Sequence, residues 1–363
     1  MVILLDAAKN QTFWLPIYIM NDKSFQSGPY LILLILELSL YLLTALILIS
    51  TVRIFWKMRL FHQNMNIMMA VFLFQWFEAI IAKLVIIPFQ IGILKITDSE
   101  SPYVSWWSSE SADMISVTDN TSLLLIAGFM VWHYAYSMIF GILNLGLERI
   151  FASVMIRDYE HKPRHYIPVW LIIGTHLITI PFSWFVLTNQ TGFYVATSPC
   201  FINSFITFGM FLIVWKICNR RRRRMENPGP DCDYTLAQQY QVKENYRALM
   251  LAKNLLIVVL CAMSVPCALL ITLVIGLIPS WRMLFIHVME NAIYLNPIII
   301  CTVLMCSAPS WREQYLKYVP ILKNIKSAKI FVVRPRKVEE EPRASVVPDE
   351  GVVYFEQLNK AWQ

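Results

Sequence analysis

Residues 30–52 read YLILLILELSLYLLTALILISTV, and Glu37 is the one charged side chain in this stretch. A helix that crosses a bilayer needs about 20 mostly apolar residues, because lipid offers no partner for backbone amide groups. The stretch is long enough and apolar enough, so it predicts a transmembrane helix. It decides the fold class, because similar stretches recur along the chain.

The composition of the whole chain agrees with a membrane protein. Of the 363 residues, 57% are hydrophobic and 15% are charged, whereas soluble domains have about 45–50% apolar and about 25% charged residues. This excludes a soluble enzyme, and an aromatic fraction of 13% with 11 Gly excludes a disordered chain. Seven Cys without paired spacing predict neither a disulfide framework nor a zinc site. A net charge of +7 is typical of cytoplasmic loops and does not indicate nucleic-acid binding.

Seven stretches meet the length test, and we expect no cleavable signal peptide before them. They are Tyr30–Val52, Met65–Ile87, Thr121–Leu147, Tyr166–Leu187, Cys200–Ile217, Leu249–Ile275 and Arg282–Met305. The predicted fold class is therefore all-α, a polytopic membrane protein with a bundle of seven transmembrane helices. We expect the bundle to fill residues 30–305, between an N-terminal segment 1–29 and a tail 306–363.

Lysine and arginine fall unevenly on the two sides of the predicted bundle. One side carries 26 of them and the other carries four, while Lys83 lies inside a span. Positive charge resists translocation, so the richer side is predicted to be cytoplasmic and the N-terminus extracellular. Three glycosylation sequons, at Asn10, Asn120 and Asn189, all fall on the side predicted to be outside.

Ionisable side chains inside the predicted spans indicate an interior site, because charge is costly in lipid and normally faces the bundle interior. Most lie in the predicted outer half, and aromatic residues flank His133. The ligand-binding candidates are Glu78, Lys83, Trp132, His133, Tyr136, His287 and Glu290. The alternative is that these residues, with Glu37 and His176, pair with one another and lock the helices together.

Two other functions fit a polytopic chain. His133, His176 and His287 would be the ligands of a zinc-dependent intramembrane hydrolase, but their predicted depths do not match and no Asp or Ser motif accompanies them. A transporter or ligand-gated channel is the other alternative, although an odd number of spans without a visible inverted repeat disfavours the usual transporter architectures. We therefore predict no catalytic residue, no metal site and no cofactor.

The predicted cytoplasmic end carries features of a switch. Glu148-Arg149 ends span three, where the acid can hold Arg149 in a closed bundle and release it to a partner on opening; the alternative is an ordinary positive anchor. Asn296-Pro297 in span seven and Pro266 in span six predict kinks, because proline removes a backbone hydrogen bond. Bending helices suit a bundle with two packings.

Two further segments on this side are predicted to be helical. Residues 310–320 form a short amphipathic helix that would lie on the inner leaflet, preceded by Cys306 as a candidate for palmitoylation. The run Arg220–Arg224 anchors span five, and a helix from about Tyr234 extends span six into the cytosol. The end of the tail is predicted to be disordered.

Several short motifs in this order resemble one receptor family. They are Phe13-Trp14-Leu15-Pro16-Ile17-Tyr18, Glu148-Arg149-Ile150-Phe151-Ala152-Ser153, Asp158-Tyr159-Glu160, and Leu236, Tyr240-Gln241 and Glu244-Asn245 before span six. With seven spans and Asn296-Pro297, the chain resembles a G-protein-coupled receptor, and in detail the nematode serpentine receptors of class epsilon, the Sre chemoreceptors.

The resemblance implies a plasma-membrane receptor of chemosensory neurons, in their cilia. It would detect a small molecule outside the cell and activate a heterotrimeric G protein inside, with Glu148 and Arg149 at the coupling surface. The chain departs from rhodopsin-like receptors, because no Cys precedes span four and Asn296-Pro297 is followed by three isoleucines, with no Tyr at the usual place. The switching details of that larger family are therefore not carried over, and the sequence does not decide between a monomer, a homodimer and a heterodimer.

Overall fold

Apolar stretches of the sequence become long helices. The computed structural model describes residues 2–6, 11–58, 62–95, 103–104, 115–116, 121–155, 164–226, 236–275 and 281–318. Its helices are α1 Gly28–Met58, α2 Gln63–Phe74, α3 Trp76–Gln90, α4 Ser122–Val154, α5 Tyr166–Leu187, α6 Gly192–Glu226, α7 Leu236–Ile275, α8 Arg282–Tyr294, α9 Asn296–Ser307 and α10 Pro309–Tyr318.

The described residues contain five helical stretches that are long and apolar enough to cross a membrane. They are Gly28–Met58, Gln63–Gln90, Ser122–Val154, Tyr166–Leu187 and Tyr194–Met225, and the bent pair Leu284–Tyr294 with Asn296–Ser307 makes a sixth. The remaining predicted span, Leu249–Ile275, falls in α7, where several side chains lie outside the described set. The predicted all-α polytopic fold is confirmed.

The helices extend beyond the predicted spans. Helix α4 continues for more than a turn past Glu148-Arg149, so this pair lies inside the helix rather than at its end. Helix α6 begins at Gly192, before the predicted start at Cys200. Helix α7 begins at Leu236, as the uninterrupted polar sequence before span six predicts.

Two spans are broken in their middle. Span two divides at Gln75 into α2 and α3, although neither Pro nor Gly stands there. Span seven bends by 43° at Leu295, directly before Asn296-Pro297. The Trp76 indole Nε1 donates a 2.6 Å hydrogen bond to the carbonyl of Tyr294, so the two breaks are joined.

The N-terminal segment is packed against one end of the bundle. Its strands are β1 Val2–Asp6, β2 Gln11–Leu15 and β3 Ile19–Met20, and two short strands follow α3, β4 Tyr103–Val104 and β5 Ile115–Ser116. Strand β1 pairs antiparallel with β2 and parallel with β5, while β3 pairs antiparallel with β4. The side chains of Leu15, Ile17 and Ile19 are buried. We call this end of the bundle the N-segment end.

Helix α4 lies at the centre and contacts α2, α3, α5, α6 and α7. Arg149 lies 21 residues after Gly128, whose neighbour across the interface is Leu15, so about 30 Å of helix separates it from the N-segment end. We call the opposite end the Arg149 end. Large apolar side chains point outward all along the bundle, such as Phe205 at 76% exposure, as lipid-facing residues do.

Helix α10 confirms the predicted helix after span seven, but its aromatic face does not lie on lipid. Trp311 and Tyr315 are buried, and the Trp311 ring is 4.8 Å from that of Phe55 on α1. The expectation that this face rests on the inner leaflet was wrong because the ends of α1 and α9 offer these rings an apolar surface within the protein.

Candidate functional site

A buried ammonium group at the N-segment end connects three helices. The Lys83 Nζ on α3 lies 2.6 Å from Glu290 Oε2 on α8, 2.9 Å from Gln90 Oε1 and 3.8 Å from Glu37 Oε1 on α1. Lys83 is 1% exposed, and both carboxylates are buried with it. A buried cation needs such partners because removing it from water is costly.

His287 and Tyr41 complete this Lys83 cluster. The Nε2 atom of His287 lies 3.1 Å from Glu37 Oε2, and the Tyr41 hydroxyl donates to Glu37 Oε1. Gln90 Nε2 donates to both carboxylate oxygens of Glu290. Two carboxylates therefore face one ammonium in this cluster.

The N-terminal segment covers this cluster. Tyr18 packs with Ile19, Ile87 and Ile286 over the ends of α3 and α8. Burial, together with the nearby charge of Glu290, raises the pKa of Tyr18 to about 12. The tyrosine therefore stays neutral at physiological pH beside a carboxylate.

A second cluster joins the predicted spans two, three and four. Glu78 Oε1 is 2.7 Å from His133 Nδ1, and His133 Nε2 is 3.2 Å from His176 Nδ1. In a neutral His133 ring, a proton on Nδ1 donates to the Glu78 carboxylate and leaves Nε2 as the acceptor for His176. The expectation that the histidines lie at different depths was wrong for this pair, because α4 and α5 pack side by side.

The structure offers no support for the zinc hydrolase. His287 belongs to the Lys83 cluster, not to the pair formed by His133 and His176. Within the described ranges, no three His, Cys, Asp or Glu side chains converge as metal ligands. A cavity of ≈ 20 Å³ beside His176 and Gln75 has room for about one water molecule.

The two aromatic candidates on α4 contact protein groups. Trp132 Nε1 donates a 2.9 Å hydrogen bond to the carbonyl of Trp14, and the Tyr136 hydroxyl donates to the carbonyl of Ala196 at 2.8 Å. Trp132 also lies 5.1 Å from the Trp14 ring, centroid to centroid. These side chains hold the N-terminal segment and the start of α6 in place.

The Arg149 end carries a third buried cluster. The Arg149 guanidinium contacts both oxygens of Glu148, with Nε to Oε2 at 2.5 Å and Nη2 to Oε1 at 2.7 Å. Its Nη1 atom reaches across to α7, 3.4 Å from Glu244 Oε1 and 3.3 Å from Asn245 Oδ1. Both carboxylates are buried, so the guanidinium is enclosed by α4 and α7.

Neighbouring groups extend this Arg149 cluster to four elements. The backbone N–H of His62, before α2, donates to Glu244 Oε1 at 2.8 Å, and Asn245 Nδ2 donates to Ser153 Oγ at 3.4 Å. Arg221 Nη1 on α6 donates to the carbonyl of Ser153. The arrangement holds Arg149 away from solvent and ties the ends of α4, α6 and α7 together.

The sequence did not single out every member of these clusters. Gln90 carried no assigned role, although it is a polar residue just past an apolar stretch. Glu244 and Asn245 entered only through the family motif, since a carboxylate in a polar helix has no distinguishing signal of its own. Packing of the helices brings these residues together although they lie far apart in the sequence.

The other predicted sites fall as follows. Asn189 is exposed in the turn after α5, where its Nδ2 lies 3.1 Å from Thr12 Oγ1. Cys306 is half-buried and forms no disulfide. Pro266 lies within α7, but its side chain is outside the described set, and Asn10 and Asn120 lie outside the described residues altogether.

Comparison with known proteins identifies the family. A family model described as Sre G protein-coupled chemoreceptor matches residues 1–363. Serpentine receptor class epsilon-38 of Caenorhabditis elegans is 63% identical over 358 residues, which cover 98% of each chain. Class epsilon-37 of the same organism is 34% identical over 369 residues, 100% of each chain. The resemblance inferred from the motifs is confirmed, and the chain belongs to the Sre family of G protein-coupled chemoreceptors.

Proposed function

We propose that the N-segment end faces the outside and the Arg149 end faces the cytosol of a chemosensory neuron, in the plasma membrane of its cilium. The 26 to four imbalance of Lys and Arg supports this orientation. Residues 1–29 then form the extracellular segment, 30–305 the bundle and 306–363 the cytoplasmic tail. Asn10, Asn120 and Asn189 are glycosylated, and Cys306 is palmitoylated.

The ligand is a small polar or cationic molecule that acts beneath the N-terminal segment. The Lys83 cluster supports this, because its two carboxylates face a single ammonium and a titratable His287. A ligand cation that replaces a proton or draws Glu290 away from Lys83 changes how α1, α3 and α8 pack. The proposed ligand-binding residues are Glu78, Lys83, Trp132, His133, Tyr136, His287 and Glu290.

Coupling to a heterotrimeric G protein takes place at the Arg149 end. The observation that carries this proposal is the ion pair of Arg149 on α4 with Glu244 on α7, at 3.4 Å, in addition to its contacts with Glu148. The pair holds the bundle closed. A ligand with higher affinity for an open bundle shifts the population toward it and releases Arg149 to the partner. Bending at Pro266, Asn296 and Pro297 accommodates the change.

The test needs no known ligand. Glu244→Gln keeps the size of the side chain but removes its charge, so the closed state is weakened and basal G-protein activation rises several-fold (about tenfold for each 1.4 kcal/mol). Activation is measured as cyclic nucleotide or calcium in cells that express the receptor. Glu313→Gln, an exposed carboxylate on α10, is the matched control and leaves the basal signal unchanged.

Arg149→Ala supplies the second arm of this test. It abolishes activation in the Glu244→Gln background and in a screen of small odorants, while surface expression stays near that of the native chain. A basal signal that Glu244→Gln does not raise, together with an intact response in Arg149→Ala, would remove this cluster from the mechanism.

A further inference from the structure

The cytoplasmic part of α6 has two faces with different environments. The inner face carries buried Val214 and Cys218. Two arginines of the basic run also lie on this inner face. Arg221 donates to the carbonyl of Ser153, and the Arg222 guanidinium lies 4.4 Å from the Tyr246 ring centre. These two residues attach α6 to α4 and α7.

The outer face carries the other cations. Six side chains of this face line an open cleft of ≈ 590 Å³. They are Trp215, Lys216, Asn219, Arg220, Arg223 and Arg224. The spacing of three to four residues places them on one side of a helix. In the part of the chain that the structure describes, no acidic side chain pairs with Lys216, Arg220, Arg223 or Arg224. Within the described residues, the cleft therefore presents four positive charges that have no acidic partner.

The same side of α6 continues toward the membrane interior as a lipid-facing strip. Its exposed apolar side chains are Phe201, Phe205, Phe208 and Leu212, followed by Trp215 at the edge of the cationic cleft. From Phe201 to Trp215 the helix rises about 21 Å, comparable to the depth of one leaflet. Tryptophan is enriched at the membrane–water interface, which places the cleft at the level of lipid headgroups.

This continuity indicates which molecule the cleft accepts. A lipid whose acyl chains lie along the apolar strip brings its headgroup to the four cations. Arginine recognises phosphate through paired N–H donors, and a headgroup with several phosphates matches four cations better than a singly charged one. An acidic region of a cytosolic protein would use the charges but not the apolar strip.

We propose that the outer face of α6 from Trp215 to Arg224 binds the headgroup of a phosphoinositide that carries phosphomonoester groups. The proposal rests on the orientation given above only for where the lipid is found in the cell, because a cytosolic Arg149 end places the cleft in the inner leaflet. The chemistry of the cleft does not depend on G-protein coupling.

The experiment uses the full-length receptor in nanodiscs of phosphatidylcholine, which expose both leaflets and contain no G protein. Binding of phosphatidylinositol bisphosphate is compared with binding of phosphatidylserine at equal total charge. The native chain is expected to prefer the phosphoinositide. The variant Lys216→Gln/Arg220→Gln/Arg223→Gln/Arg224→Gln loses about tenfold or more in affinity.

The matched control removes the same number of charges from exposed positions at the same end, as Lys57→Gln/Lys243→Gln/Arg247→Gln/Lys317→Gln. It loses less than the α6 variant by a clear margin. Soluble inositol trisphosphate, which lacks acyl chains, competes only weakly. If the quadruple α6 variant does not fold, Arg220→Gln/Arg223→Gln is compared with Arg247→Gln/Lys317→Gln.

Three results would overturn the proposal. One is an equal loss in the α6 and control variants, which would indicate nonspecific attraction to anionic lipid. Another is equal affinity for phosphatidylserine. The third is lipid binding that does not change in the α6 variant while a purified G protein loses its affinity, which would assign the cleft to the protein partner. Failure of the Glu244→Gln test leaves these results unaffected.

Discussion

At the scale of single residues, Lys83 is the least exposed of the described lysines and arginines, with 1% of its surface exposed. Lys83→Met keeps the length of the side chain but leaves Glu37 and Glu290 facing each other without the ammonium between them. Leaving buried charges unpaired costs about 3–5 kcal/mol in proteins. We therefore expect a large fall in the unfolding temperature of the receptor in detergent.

Two further variants test this reason. Lys57→Met, at an exposed position on α1, controls for the loss of a lysine and leaves the unfolding temperature nearly unchanged. Adding Glu290→Gln to Lys83→Met restores part of the stability, because one of the two carboxylates is then neutral. A double variant no more stable than Lys83→Met would show that charge imbalance is not the cause.

His62 makes the stability of the folded receptor depend on pH. Burial, with the positive charges of Arg149 and His165, lowers the pKa of His62 to about 4, although Glu148 acts in the opposite direction. The folded chain therefore binds fewer protons than the unfolded chain between about pH 6.5 and pH 4. Stability falls as the pH drops through this window.

The measurement is the unfolding temperature at pH 7 and at pH 5. His62→Asn removes the titration but keeps an acceptor at the start of α2, where the His62 ring accepts from the backbone N–H of Asn64. We expect a smaller loss of stability at pH 5 in His62→Asn than in the native chain. Equal losses in the two chains would assign the pH dependence to other groups.

The sequence predicts which residues are buried and polar better than it predicts their partners. Glu37, Lys83 and Glu290 stand out because they interrupt apolar spans. Lys83 contacts Glu290, which lies 207 positions away in the sequence, and Glu37 contacts His287 at a still larger separation. The helical rise gives the depth of these residues but not the direction in which each helix turns its side chains. For the same reason the sequence did not predict that Glu244 faces Arg149.

At the scale of elements, the breaks in spans two and seven support each other. Pro297 cannot donate a backbone hydrogen bond, and the backbone N–H of Ile298 turns to the Leu295 carbonyl. The Tyr294 carbonyl is then satisfied by Trp76, which is 1% exposed. The sequence predicts the bend at Pro297 but not the break at Gln75, where neither Pro nor Gly stands and Trp76, the next residue, makes this tertiary contact.

Trp76→Phe removes this hydrogen bond while keeping an aromatic ring. An unsatisfied buried carbonyl costs about 1–3 kcal/mol, so we expect a lower unfolding temperature and an altered basal signal. Trp170→Phe makes the same chemical change at a lipid-facing position that is 68% exposed. If both variants unfold at the same temperature as the native chain, the hydrogen bond from Trp76 to the Tyr294 carbonyl does not stabilise the contact between the two broken spans.

At the scale of the whole molecule, charge is concentrated where the bundle must hold together or meet a partner. The middle of the bundle is apolar toward lipid, and each end has a buried cation enclosed by carboxylates, Lys83 at one end and Arg149 at the other. Five of the predicted spans, and the bent sixth, appear as membrane-length helices among the described residues, so their existence was predictable from apolar length. The packing of the N-terminal segment was not, because a few apolar residues before a span do not indicate a buried cover.

The N-terminal segment covers the N-segment end, so in the proposed orientation a ligand from outside must displace it or pass beside it. Ile17 is 1% exposed, and Ser27 is exposed at the start of α1. In intact cells, a membrane-impermeant maleimide is expected to label Ser27→Cys quickly and Ile17→Cys at least about tenfold more slowly, since labelling of Ile17→Cys requires local opening. The native chain gives the background from its own cysteines, and unfolding in detergent equalises the two variants. Rapid labelling of Ile17→Cys would show that the N-terminal segment is open at rest. Labelling of Ser27→Cys only in permeabilised cells would show that the N-segment end faces the cytosol and would contradict the proposed orientation.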